Sequence, residues 1–128
     1  STLRVNGLRE VDLVLRSSAH LITATGGPRG GDATRAREME DLVTALASVI
    51  RARGQRYLMA NVPRTALAAV REVLPGLNGP TVIDIANHGT FVAVHAVVAA
   101  DTIYRTISQL RALGAEGILV TRIERLVP

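Results

Sequence analysis

Cysteine, lysine and tryptophan are absent from this 128-residue chain, and Tyr57, Tyr104 and Phe91 are its only Tyr or Phe residues. Without cysteine there is no disulfide, no thiol nucleophile and no thiolate-bound metal, a composition that suits a cytoplasmic protein. No apolar run reaches the ~18 residues that a membrane span needs. No signal peptide is legible either, although a chain opening on Ser1 rather than Met leaves its true start undefined. Like-charged blocks are also missing. The net charge is +4, and the 15 basic residues, all arginine, are scattered among 11 acidic ones, unlike a nucleic-acid-binding tail. Arginine is the better bidentate phosphate ligand, but a biased genome accounts for the missing lysines equally well.

What is present is apolar: 48% of residues are hydrophobic, enough for a packed core in one domain, or in one small domain plus part of another. From Gln55 to Pro128 the order is strand, helix, strand, strand, helix, strand. Tyr57–Val62 ends at Pro63, and Arg64–Leu74 has helical spacing up to Pro75-Gly76. Thr81–Ala86 and Phe91–Val98 are strands separated by Asn87-His88-Gly89. Asp101–Leu113 is helical and stops at Gly114, and Gly117–Ile123 is the last strand. This is the split βαββαβ, ferredoxin-like pattern of an α+β domain. Leu58, Ala60 and Val62 alternate with Tyr57, Met59 and Asn61, while Ile83 and Ile85 alternate with Val82 and Asp84, which makes one face of that strand the more apolar. Each helix carries one stripe, Leu67/Val70/Leu74 or Ile103/Ile107/Leu110, so the pair can cover one face of the sheet. The face carrying Met59, Asn61 and Thr81 is then left for a second copy or a neighbouring domain.

The first 54 residues are less regular. Ser1–Leu8 allows a helical turn stopped by Gly7, and Val11–Thr23 could hold one or two strands. Thr25–Gly31, with four glycines and Pro28, reads as a loop without the Gly-plus-Lys spacing of a P-loop. Asp32 or Thr34 can cap an amphipathic helix whose apolar positions Leu42, Val43, Leu46, Val49 and Ile50 run to near Gly54.

His20, His88 and His95 stand at no metal-ligand spacing, and no nucleophile–base set or carboxylate pair is legible. His95 reads as a hydrogen-bonded sheet residue, Tyr104 as a partly buried packing residue, Asp84 as a solvent-facing strand position and Asp101 as a helix cap. An open βαββαβ sheet is also the RNA-recognition module, and Gly89–Val94 faintly echoes its third strand. Two rings at most could serve that face, however, which argues against a nucleic-acid partner. A stand-alone small-molecule sensor is the remaining alternative.

Several motifs occur in one order: Arg53-Gly54-Gln55-Arg56-Tyr57-Leu58-Met59, Leu74-Pro75-Gly76-Leu77 into Gly79-Pro80-Thr81, and Val92-Ala93-Val94-His95. Leu110-Arg111-Ala112-Leu113-Gly114-Ala115, Gly117-Ile118-Leu119-Val120 and Ile123-Glu124-Arg125 follow. In these the chain resembles the C-terminal portion of the long-form ATP phosphoribosyltransferase family, the first enzyme of histidine biosynthesis. The resemblance implies that residues 1–54 end an α/β, periplasmic-binding-protein-like catalytic domain with its linking helix, and that 55–128 form a regulatory ferredoxin-like domain. Ser1, Thr2 and Leu3 would be the tail of the loop binding phosphoribosyl pyrophosphate, where small residues and hydroxyls favour a phosphate. The intact enzyme would join ATP to phosphoribosyl pyrophosphate with Mg²⁺ on the leaving pyrophosphate. The C-terminal domain would bind histidine between subunits of a homo-oligomer, dimer to hexamer, with AMP as a further candidate ligand. Carried over by position, the effector residues would be Asn61, Leu77, Thr81 and Val120. Some relatives have a carboxylate near Asn61, and an amide there would hold the effector's amine less strongly. Catalytic residues are expected outside this stretch, and these 128 residues alone are expected to be inactive.

Overall fold

The computed structural model describes residues 2–24, 33–86 and 89–127. Ser1, residues 25–32, Asn87, His88 and Pro128 lie outside the described residues, and with them the expected 25–31 loop and Asp32 cap. The chain divides into two units, Ser1–Ala36 and Arg37–Pro128.

In the first unit, α1 (Thr2–Val5) is a single turn closed by the Leu8 N–H donating to the Leu3 carbonyl at 2.9 Å. It ends at Gly7 with φ +65°, as its glycine predicts. The strands expected in Val11–Thr23 are not formed: 8–24 is exposed and without regular structure. All four strands of the sheet lie between 55 and 122 and none pairs with this stretch, so its backbone lacks the ladder that makes a strand.

The second unit begins within α2 (Ala33–Ala52), which already includes Thr34, and continues through β1 (Gln55–Pro63), a 3₁₀ turn (Arg64–Ala66), α3 (Leu67–Val73), β2 (Thr81–Asp84), β3 (Phe91–Ala99), α4 (Ile103–Ala112) and β4 (Glu116–Arg122). The sheet order is β2-β3-β1-β4, antiparallel throughout, which is the ferredoxin-like arrangement. In the central pair Leu58 faces Ala96, Ala60 faces Val94 and Val62 faces Val92. These residues meet Val70, Leu74, Ile103 and Leu110 in one buried cluster, with Leu67, Val73 and Ile107 packed around it. Both predicted stripes therefore lie on one side of the sheet. On the other side the alternate residues are half-buried or exposed; Ile83 is 47% and Leu119 59% exposed. Val82 faces Val94 and turns to the helices, whereas Ile83 faces Ala93. The more apolar side of this edge strand is thus the open one.

The chain's punctuation has clear local causes. Pro63 closes β1, and Gly114 ends α4 at φ +82°. There the Ala115 N–H donates to the Leu110 carbonyl (2.9 Å) and the Gly114 N–H to that of Arg111 (3.0 Å), a Schellman closure. A Cβ at 114 would lie 3.2 Å from Pro63 Cγ, so the glycine also lets these two ends approach. Asp84 is exposed, as read, and pairs with the exposed Arg64 at 2.6 Å, a contact that solvent screens.

Two expectations need correction. The N-cap of α4 is Thr102, with no side-chain cap bond, and not Asp101; Thr102 Oγ1 reaches the Ala99 carbonyl instead, at 3.4 Å. Tyr104 is 85% exposed, because the core-facing stripe of α4 runs through Ile103, Thr106 and Leu110. Along α2, for which the sequence names no packing partner, Leu42, Val43, Leu46 and Ile50 are exposed, Val49 is half-buried, and Ser48 and Ala52 are buried. The Leu126 N–H donates to the Ser48 carbonyl at 3.0 Å, which ties the end of α2 to the C-terminal segment.

Leu110→Ala should lower the unfolding free energy by about 2–5 kcal/mol, the usual range for a fully buried leucine. Tyr104→Ala should change it by about 0.5 kcal/mol or less. Urea denaturation of the two variants checks the assignment of the two faces of α4.

Candidate functional site

The open face acquires chemistry where the loop before β2 folds against it. That loop depends on two glycines, Gly76 at φ +55° and Gly79 at φ +90°. The Gly79 N–H donates to the Pro75 carbonyl at 2.7 Å, and a Cβ at 76 would come within 2.9 Å of the Gly79 carbonyl oxygen. Only glycine fits both the backbone angle and the space at 76. The loop so formed places Leu77 and Asn78 beside Thr81, the first residue of β2.

Pairing does the rest. Thr81 lies opposite His95, and His95 lies opposite Met59, so β2, β3 and β1 bring a hydroxyl, an imidazole and a thioether across one row. Tyr57, two residues before Met59 on the same face, bonds through its hydroxyl to His95 Nδ1 at 2.8 Å, its ring meeting the imidazole edge-on with centroids 5.7 Å apart. Tyr57, Leu77, Asn78, Gly79, Thr81 and His95 line a shallow cleft of about 230 Å³. No carboxylate lines it. Leu77 also borders a second cleft of about 310 Å³, shared with Val73, Pro75, Thr102 and Thr106.

The sequence-derived site residues are thus only partly assembled. Leu77 and Thr81 meet in the first cleft. Asn61 is on the same face but lines neither cleft; it lies opposite Ala93 and next to a bulge in the β1–β4 pairing. Its amide Nδ2 would lie 3.4 Å from a Cβ at Gly117, where φ is +59°. Val120 lies opposite the buried Leu58 and so belongs to the helix-clad face at the sheet edge, away from the other three. Of the three residues expected to end a phosphate loop, Thr2 begins α1 and Leu3 is exposed, while Ser1 lies outside the described residues. Among the described residues no three His, Asp or Glu gather as a metal site. His95 is a hydrogen-bonded sheet residue as expected, but its place in the cleft was not read from the sequence, nor was that of Tyr57. Each alternates with the buried positions of its own strand, which puts it on the open face; their juxtaposition needs the register.

The family described as "HisG, C-terminal domain" matches residues 52–125, which covers the whole sheet. An ATP phosphoribosyltransferase of Gemmatimonas aurantiaca is 83% identical over 128 residues, all of this chain and 44% of that protein. Those of Halobacterium salinarum (50% over 127 residues; 99% of this chain, 43% of that protein) and Methanosarcina acetivorans (42% over 132 residues; 100% and 44%) are similar over the same stretch. The chain spans less than half the length of these curated relatives.

Gly76→Ala should lower stability by more than ~1 kcal/mol, since the added methyl meets both an unfavourable φ and a carbonyl oxygen. The neighbouring Gly79→Ala, where nothing lies within 4 Å of the added Cβ, should carry the φ cost alone. A larger loss at 79 than at 76 in thermal unfolding would contradict this account of the loop.

Proposed function

Because the chain belongs to the HisG C-terminal domain family, we propose that it is the effector-binding and assembly portion of an ATP phosphoribosyltransferase. In the longer protein, ATP and phosphoribosyl pyrophosphate would be joined to phosphoribosyl-ATP and pyrophosphate in the cytoplasm, as the first step of histidine biosynthesis. Residues 1–54 would end the catalytic region and 55–128 would regulate it. The residues described offer no set of carboxylates that fits Mg²⁺, so no step through that ion is assigned to them; its partner would be the pyrophosphate, in the rest of the protein.

The observation that carries the reading is that the Leu77–Thr81 cleft opens on the uncovered face of the sheet. A ligand in that cleft changes the surface that a second subunit would meet. Feedback requires an effector to bind two states with different affinity, and a ligand seated at the edge of a subunit contact meets that condition directly. Histidine is the effector proposed, AMP a further ligand, and a homo-oligomer between dimer and hexamer the assembly. Nucleic acid is a poorer occupant of this face: Tyr57 is already engaged edge-on with His95, and base stacking needs free rings. A stand-alone sensor would share the cleft but not the likeness to residues on both sides of it.

Two outcomes test the proposal. The 128 residues supplied with ATP, phosphoribosyl pyrophosphate and Mg²⁺ should release no pyrophosphate, and measurable turnover would refute the division of labour. In calorimetry with L-histidine, Thr81→Val should weaken binding by about 1 kcal/mol or more, the loss of one hydroxyl donor in the cleft. Unchanged affinity would remove Thr81 from the site.

A further inference from the structure

The one paired polar arrangement in the cleft, Tyr57 with His95, has no role in the reading so far. A phenol is the better hydrogen-bond donor of the two and an imidazole nitrogen the better acceptor. The 2.8 Å contact is therefore a Tyr57 O–H donating to Nδ1. That bond leaves the ring proton on Nε2 and holds the imidazole in one orientation, as a partner on one ring nitrogen decides what the other can do. The ring's two nitrogens point apart, so Nε2–H is directed away from Tyr57. Among the described residues no protein group bonds to it.

We propose that Nε2–H of His95 is a ligand donor in this cleft, and that it recognises the carboxylate of the amino-acid effector. Three observations support this. His95 and Thr81 are directly paired across β3 and β2, which places an N–H and an O–H donor side by side on one face. Leu77, Asn78 and Gly79 line the cleft with them and no Asp or Glu does, so the lining favours the negative end of a small zwitterion over its amine. Tyr57 acts as a positioning residue, since it bonds the ring and fixes which nitrogen carries the proton. The proposal rests on the effector reading above and adds to it the end of the ligand that the cleft holds.

The test combines a spectroscopic and a binding readout on the 128-residue chain. Long-range ¹H–¹⁵N spectra should show His95 as a single Nε2–H tautomer without ligand, and Tyr57→Phe should return it to a mixture of tautomers. In calorimetry, His95→Leu should weaken L-histidine about ten-fold yet leave L-histidinamide, which lacks the carboxylate charge, within about two-fold of its wild-type affinity. His95→Gln, which keeps an N–H within similar reach and serves if the leucine variant does not fold, should restore part of the loss. Equal loss for both ligands, or none for L-histidine, would overturn the carboxylate assignment. An Nδ1–H tautomer in the wild type would overturn it as well. Binding of L-histidine that responds to Thr81→Val but not to His95 variants would sink this inference alone. A wild-type chain that binds no L-histidine would sink the effector reading with it.

Discussion

The antiparallel pairing of β1 with β3 is the constraint on which the rest depends. Over nine residues it sets Leu58, Ala60 and Val62 against Ala96, Val94 and Val92, and every one of these side chains is buried. A slip of one residue would send that whole set to the other face. The same register puts Tyr57, Met59 and Asn61 with Ala93, His95 and Val97 on the second face. The core and the cleft are therefore two consequences of one alignment, and neither can shift without the other.

Helices α3 and α4 then decide which face becomes the core. Each has one apolar stripe, and both stripes meet the Leu58 side. The open side retains Ile83 and Leu119 on the edge strands and the half-buried Met59 and Val97 at the centre. One further feature looks outward, the α2 stripe, where Leu42, Val43, Leu46 and Ile50 are exposed; Arg56, half-buried, lies directly opposite Arg122. Like charges facing each other across strands cost stability in a lone sheet. The chain thus keeps apolar side chains uncovered on the open face and along α2.

Much of the fold was legible because periodicity is local. Alternation in β1 and β3, the Pro63, Gly54 and Gly114 boundaries and the two helical stripes were all read within a few residues of where they lie. Val11–Thr23 misled, since a β-rich composition needs a partner strand, and the sheet provides none for it. Asp101 misled because α4 starts one residue further along, after Thr102, and Tyr104 because it lies off the Ile103/Ile107/Leu110 stripe that meets the sheet. At the site, Leu77 and Thr81 are brought together by a short loop, and so were within reach. Asn61 and Val120 were carried over by position along the chain, and position does not reveal that Asn61 lines neither cleft or that pleating puts Val120 on the helix-clad face.

By itself, then, the sequence determined the order of elements, the ferredoxin-like class and the family, because these follow from spacing and from motifs that survive as text. Only the tertiary structure decided that Tyr57 bonds to His95, that Thr81 stands beside that pair, and which face of β2 is left open. Those facts depend on register between strands separated by up to 38 residues, and cross-strand register is written in no single segment.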